Sequence, residues 1–339
     1  MSQKKNVGLA LQGGGTHLAF SWGVLDYLLE DGRIHFEGGS GTSAGGLTCA
    51  ALAQGLMKNG NPGARVELEA FWRMIHEQGK KIGLQPSLVD EFVSKYGLDN
   101  SMTMAMLNSI SRARLSPYQW NPYGAKLFAD MLNGFYDIDK LSKLEDFKLF
   151  LTATNVKTGR LKIFSGHELT VESFMASACI PILAQAVEID GQAYWDGGYI
   201  GNPSLFPLIY NCETSDILVI LVIPHVVDST PHTYAEVSWR MQELMHTNTL
   251  TREMRAIEFV TSLIDQGIAD KDKLKRINIH VIEDHQFFST LSPTSRLNTD
   301  WKFLTMLYER GRQVAETWMK KNYKDIGKKS TIDINEAFV

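Results

Sequence analysis

The chain has 339 residues, 44% of them hydrophobic and 21% charged, with a formal net charge of −4. That length suits one large α/β domain or two modest ones, and the composition is that of an ordinary soluble globular protein. The weakly acidic balance, with no long basic run, argues against a nucleic-acid partner. Nine scattered histidines and three cysteines, Cys49, Cys179 and Cys212, show neither metal-ligand spacing nor a disulfide framework. No metal or cofactor is expected, and the sparse thiols favour a reducing compartment.

Along the chain, residues 7–11 form a short apolar piece, too brief for a signal-peptide core and read as a first strand. Gln12-Gly13-Gly14-Gly15 follows, then a helical pattern from about residue 16 to 30, with Phe20, Val24, Leu25, Leu28 and Leu29 at three- and four-residue spacing. An extended piece, 34–37, reaches Gly41-Thr42-Ser43-Ala44-Gly45, and a small-residue helix runs on to about 56. Two successive strand–turn–helix units predict a parallel sheet covered by helices, with both glycine-rich turns at its carboxyl edge. Residues 65–144 read as a helical insertion, with Phe71, Trp72 and Ile75 on one face. Strands 149–155 and 161–164 make a hairpin around Lys157-Thr158-Gly159, and a helix spans about 171–179. A second hairpin joins 187–189 to 193–195 around Asp190-Gly191. The apolar run 217–223 suits a strand buried on both faces and cannot span a bilayer. Two long helical stretches then flank a last strand, 277–282.

The pentapeptide Gly41-Thr42-Ser43-Ala44-Gly45 reads G-x-S-x-G, the pattern of a serine on a sharp strand-to-helix turn. A hydroxyl exposed there is a candidate nucleophile, and the following helix favours negative charge nearby. Gly13-Gly14-Gly15 is a candidate oxyanion cradle, because consecutive glycines bare their N–H groups and the helix from Thr16 adds its positive end. A structural turn or a phosphate loop has the same local shape, although neither G-x-G-x-x-G nor G-x-x-x-x-G-K-[ST] is satisfied. Asp196, in Asp196-Gly197-Gly198, is the best proton acceptor, against the plainer reading of an Asp-Gly turn. A carboxylate is a weak base and serves only where the oxyanion is stabilised and water excluded. His280 and His285 follow Asp196 and would complete a Ser, Asp, His order; surface or structural roles suit both better. His17 either polarises the anion site or begins the helix.

These blocks together resemble the patatin-like phospholipase family. The resemblance rests on Gly13-Gly14-Gly15 continuing to Gly23-Val24-Leu25, on the serine pentapeptide, and on a third block. That block is Ala176-Ser177-Ala178-Cys179-Ile180-Pro181, then Val187-Glu188-Ile189-Asp190-Gly191, Tyr194-Trp195-Asp196-Gly197-Gly198 and Asn202-Pro203. Three spaced blocks in order cover roughly residues 7–224, and Ser295-Arg296-Leu297-Asn298 with Asp300-Trp301 looks like a bacterial branch. The resemblance implies a three-layer α/β/α fold and hydrolysis of lipid acyl esters by a Ser43–Asp196 dyad without histidine or metal. Ser43 would attack, Asp196 would take the proton, and the oxyanion would lie on Gly13, Gly14, Gly15 and Thr16. His17, Ala44, Gly197 and Gly198 are candidates to line the site. Many members carry Arg or Lys and then Gly after the glycine run; His17 and Leu18 stand there instead, so a permanent positive charge near the loop is missing.

The domain reading is a catalytic core over 5–225, with the insertion at about 65–145, and a helical and strand extension over 226–339 packed on it. The partner is a lipid or acyl-ester substrate with transient contact to a membrane surface. Met102, Met104, Met106, Trp120 and Tyr123 are candidates for a lid, against ordinary core packing. A cytoplasmic location is expected, with signal-independent export left open. The rivals are a histidine-dependent carboxylesterase using His280 or His285, and a weakly active lipid-binding scaffold.

Overall fold

The computed structural model describes residues 4–121, 124–227, 229–270 and 273–338. Its centre is one sheet of eight strands: β1 (Lys5–Leu11), β2 (Ile34–Thr42), β3 (Lys148–Asn155), β4 (Leu161–Phe164), β5 (Val187–Ile189), β6 (Gln192–Asp196), β7 (Asp216–Ile220) and β8 (Asn278–Ile282). The order is β5-β6-β3-β2-β1-β7-β8, with β4 also on β3. β3, β2, β1, β7 and β8 are mutually parallel, whereas β4, β5 and β6 enter as antiparallel hairpin strands.

Alternation along the central strands divides the core into two layers. Val7, Leu9 and Leu11 of β1, with Leu218 and Ile220 of β7, face the helices α1 (Ala19–Asp31), α2 (Ala44–Lys81) and, from the C-terminal part, Trp301–Asn322. Ala10, Ile217 and Val219 face the opposite side, against Leu250, Met254 and Ile257 of helix Tyr234–Asp265. The α/β/α layering is therefore the one the resemblance implies. The sheet does not stop near residue 225, since β8 pairs along the whole of β7.

β2 runs five residues beyond the stretch its side chains announce, through Gly38, Gly39 and Gly41. Glycine carries no strand preference, but β1 and β3 bond to this segment from both edges and impose the extended conformation. Helix α2 outlasts its small-residue stretch and breaks at Asn59 and Gly60, where Gly60 takes φ 56° ahead of Pro62. The second half then carries Phe71 and Trp72 into the core, with each about 1% exposed. Asp190 and Gly191, at φ 51° and 72°, make the left-handed turn that aligns β5 with β6. Cys49, Cys179 and Cys212 are buried free thiols.

Candidate active site

Ser43 stands between β2 and α2 at φ 55° and ψ −130°, a region that non-glycine residues avoid. The strain is held from several sides: Thr42 Oγ1 donates to the Gly201 carbonyl at 2.6 Å, and Ser43 N–H donates to Ser177 Oγ at 3.3 Å. Such an outlier, held in place by its neighbours, is the geometry expected of a serine displayed for chemistry.

β3 brings the carboxylate to it. Thr152 of β3 pairs with Thr42 of β2 on one edge and with Ile163 of β4 on the other. Ala153, the next residue, pairs with Lys162 of β4 and with Asp196 of β6. β2 and β6 therefore occupy the same edge of β3 and end facing one another, one register position apart. Ser43 follows the end of one and Asp196 is the end of the other. The Asp196 side chain accepts the Gly198 N–H at 2.7 Å, and its backbone is fixed by Cys179 O at 2.8 Å and by Thr154 Oγ1 at 2.8 Å. Burial raises the carboxyl pKa from 3.8 to about 6, countered by the Gly198 N–H and by the nearby Ser43 side chain.

The glycine loop lies against the serine. A Cβ on Gly13 would fall 2.7 Å from Thr42 O and 3.1 Å from Ser43 Cβ, so no other residue fits there. The Gly13 N–H is not free, however: it donates to Asn202 Oδ1 at 2.6 Å. Gly13 thus leaves the set of expected oxyanion donors and becomes the brace that ties the loop to the turn after β6. Gly14 and Gly15 are half-buried, and among the described residues their N–H groups have no acceptor. Thr16 is buried and its Oγ1 donates to the Ser295 carbonyl at 2.9 Å.

The residues expected to line the site have the following surroundings. His17 is 3% exposed, with Nε2 2.7 Å from Ser295 Oγ and its ring against Phe288; burial and the Arg296 charge hold its pKa well below the ordinary value. Neutral and enclosed, it anchors the loop to the C-terminal segment. Gly197 is buried against Thr152 and Gly198 against His246 and the Asp196 carboxylate. Ala44 is half-buried at the head of α2, whose first N–H groups lie beyond the reach of intrahelical bonding.

Neither histidine expected of a triad meets the serine. His280 lies in β8 with Nε2 2.8 Å from Asp216 Oδ1, at the amino end of β7 and so at the edge of the sheet opposite Ser43. His285 opens a short helix after β8, and among the described residues no histidine hydrogen-bonds Ser43 or Asp196. His246 packs beside the turn that follows Asp196, its Nδ1 3.1 Å from the Gly198 carbonyl. Asn202, Ser177 and Arg296 fall within quoted blocks but carried no assigned role there, and His246 lies in none, because each acts from a separate element.

The lid candidates divide. Met102 is 88% and Met106 51% exposed, so these two are not core residues, while Met104 and Trp120 are half-buried. Tyr123 lies outside the described residues. The segment around them is tied to both flanks of the site: Asn121 Nδ2 donates to Leu183 O at 2.9 Å, and Leu98 N–H donates to Thr294 Oγ1 at 2.8 Å. No described helix is long and apolar enough to cross a membrane.

The patatin-like phospholipase family model matches residues 9–209, more than half of the chain. No curated protein sequence matches. Among solved structures, VipD from Legionella pneumophila aligns at 15% identity and a TM-score of 0.42, covering 93% of this chain and 67% of VipD. ExoU, in the heterodimeric ExoU–SpcU complex of the Pseudomonas aeruginosa type III secretion system, aligns at 15% identity and a TM-score of 0.38. That alignment covers 95% of this chain and 53% of the other, so the chain spans about half the length of that relative.

Proposed function

The chain belongs to the patatin-like phospholipase family, and from that premise we propose that it is a serine lipid acyl hydrolase working through Ser43 and Asp196. The family supports lipid acyl hydrolysis; the assignment of roles is our own. The observation that carries it is the shared edge of β3, which sets a strained serine and a buried carboxylate end to end. Ser43 Oγ attacks the ester carbonyl while its proton passes to Asp196, whose raised pKa makes it a better base than an exposed carboxylate. The oxyanion is received by the unengaged N–H groups of Gly14 and Gly15. Collapse expels the alcohol with the proton returned from Asp196, and water then cleaves the acyl-enzyme by the same path. The placement of His280 against Asp216 favours this reading over a histidine-dependent esterase.

The substrate is a lipid or acyl ester met at an interface. Leu88, Phe92 and Met102, each more than three-quarters exposed, would give the helical segment an apolar face for it. The deciding experiment incubates wild type, Ser43→Ala and Asp196→Asn with a defined lipid panel and measures released fatty acids by mass spectrometry. Both variants are expected to lose about a thousandfold or more in kcat. Near-normal turnover in Asp196→Asn would reject the dyad.

A further inference from the structure

Outside the segment matched by the family, helix Tyr234–Asp265 grips the chain that follows Asp196. His246, Thr249 and Glu253 fall at i, i+3 and i+7, and so on one face of that helix. His246 Nδ1 lies 3.1 Å from the Gly198 carbonyl. A carbonyl only accepts, so Nδ1 carries the proton and donates. Thr249 Oγ1 accepts the Asn202 N–H at 3.3 Å, and Glu253 Oε2 accepts the N–H groups of Leu205 and Phe206 at 2.7 and 3.1 Å. One polar stripe therefore fixes the backbone from residue 198 to 206. Its first bond acts closest to the proposed chemistry. Gly198 N–H donates to Asp196 Oδ1 at 2.7 Å, and the carbonyl of the same glycine is the one that His246 holds. A Cβ there would lie 2.8 Å from His246 Nδ1 and 3.0 Å from Asp196 Oδ1, so imidazole and carboxylate press on one residue from two sides. Glycine has no side chain to set its own backbone orientation. The His246 ring also rests against Tyr199, with centroids 5.4 Å apart, which fixes the imidazole in turn.

We propose that His246 is a positioning residue for the Asp196 carboxylate: it locks the Gly198 turn whose N–H holds Oδ1, and so keeps the acid aimed at Ser43. The inference rests on the acyl-hydrolase reading. As Ser43 Oγ bonds to the ester carbonyl carbon, its O–H bond breaks and the proton passes to Asp196, while the carbonyl π pair goes to oxygen. That transfer needs the carboxylate within hydrogen-bond reach of the hydroxyl, and a shift of about 1 Å costs on the order of a hundredfold. His246 stays out of the proton's path. Its Nδ1–H is engaged by Gly198, and burial lowers the pKa of the ring.

The test separates the hydrogen bond from the imidazole. His246→Ala removes both; His246→Asn brings an amide N–H close to the Nδ1 position and restores the bond alone. Each is assayed as the full chain on a neutral soluble ester, p-nitrophenyl butyrate, followed as butyrate release over about pH 5 to 8, with thermal melts in parallel. His246→Ala is expected to lose about tenfold to a hundredfold in kcat with KM nearly unchanged. The acid limb of its kcat profile should move up by about half a unit or more, because a loosened Gly198 N–H no longer favours the ionised carboxylate. His246→Asn is expected to stay within about fivefold of wild type and to keep the wild-type limb. Cys179, pushed up to about 12, and Tyr199, raised from its ordinary value, face Asp196 and stay protonated throughout. Glu253, raised by burial to about 7, and Arg296 are common to both variants. Equal losses in the two variants, an alanine variant within about twofold of wild type, or a loss of kcat with an unmoved limb would overturn the proposal. If His246→Ala does not fold, His246→Gln, whose amide reaches toward the Nε2 position, replaces it with the same expected loss. Ser43→Ala distinguishes the two levels. Turnover that survives it removes the hydrolase reading itself, and this inference with it; turnover that depends on Ser43 but ignores His246 removes only the inference.

Discussion

The carboxyl edge of the sheet and the helical segment near residues 84–121 are built in opposite ways. At the edge, every glycine is crowded: Gly13 is pressed on Thr42 and Ser43, Gly15 on Arg296, and Gly197 on Thr152. Ser43 is strained and still single-valued, because β1, β3, Ser177 and Asn202 each restrict a different part of the turn. The helical segment has short helices with side-chain caps, such as Ser87 on Asp90 N–H and Ser101 on Met104 N–H, and leaves Leu88, Phe92 and Met102 in solvent. Its ties to the body mix hydrogen bonds, such as Leu98 to Thr294 and Asn298 to Tyr96, with the buried Leu98 side chain and the Tyr96 ring stacked on Phe303 at 5.3 Å. The difference teaches that the proposed Ser43–Asp196 pair is placed by over-determined packing, whereas the apolar surface proposed to meet substrate stands on short capped helices beside it.

Breaking the packed side has the largest expected cost. Phe71 is 1% exposed among Trp72, Phe135 and Tyr136, and Phe71→Ala is expected to destabilise by about 3–5 kcal/mol in denaturant unfolding. The next effect comes from the site itself. Because the Asp196 pKa rises from 3.8 to about 6 on folding, the native state holds its proton more tightly than the unfolded chain does. The associated stability is present below about pH 4 and is lost as the pH climbs through about 6. At pH 8 the ionised carboxylate costs the fold on the order of 2–3 kcal/mol. Asp196→Asn is therefore expected to melt above wild type at pH 8, with the gap closing toward pH 4, while wild-type turnover falls to half near pH 6. A constant gap would mean that the carboxylate is less enclosed than the β6 turn suggests. The smallest effect belongs to the helical segment: Phe92→Ser should change stability by less than about 0.5 kcal/mol. It should leave p-nitrophenyl butyrate hydrolysis unchanged and reduce release of fatty acid from phospholipid vesicles. Equal loss on both substrates would remove the interfacial role.

Much of the fold was legible in order along the chain. The 7–11 strand, both hairpins and the apolar run 217–223, of which the strand β7 keeps only the part up to Ile220, carry period-two or continuous apolar runs bounded by turn residues, and the glycines mark where the chain must bend. β2 was legible only to Glu37, since its remaining residues extend because β1 and β3 bond to them. The lid methionines illustrate the opposite failure. Their spacing suits a buried stripe, yet nothing in the sequence tells which side of a helix finds a partner.

By itself the sequence determined the local chemistry: a serine on a turn only small neighbours allow, a carboxylate before two glycines, and a run of bare amides, all set by side-chain size and backbone freedom. Tertiary structure alone decided who meets whom. It took Gly13 from the anion cradle and gave it to Asn202, closed His17 beneath the loop, and placed Arg296 beside Gly15 from 281 residues away. Those outcomes depend on burial and on long-range pairing, which short-range pattern cannot encode because charge and hydrogen-bond strength are set by what surrounds a group after the chain has closed upon it.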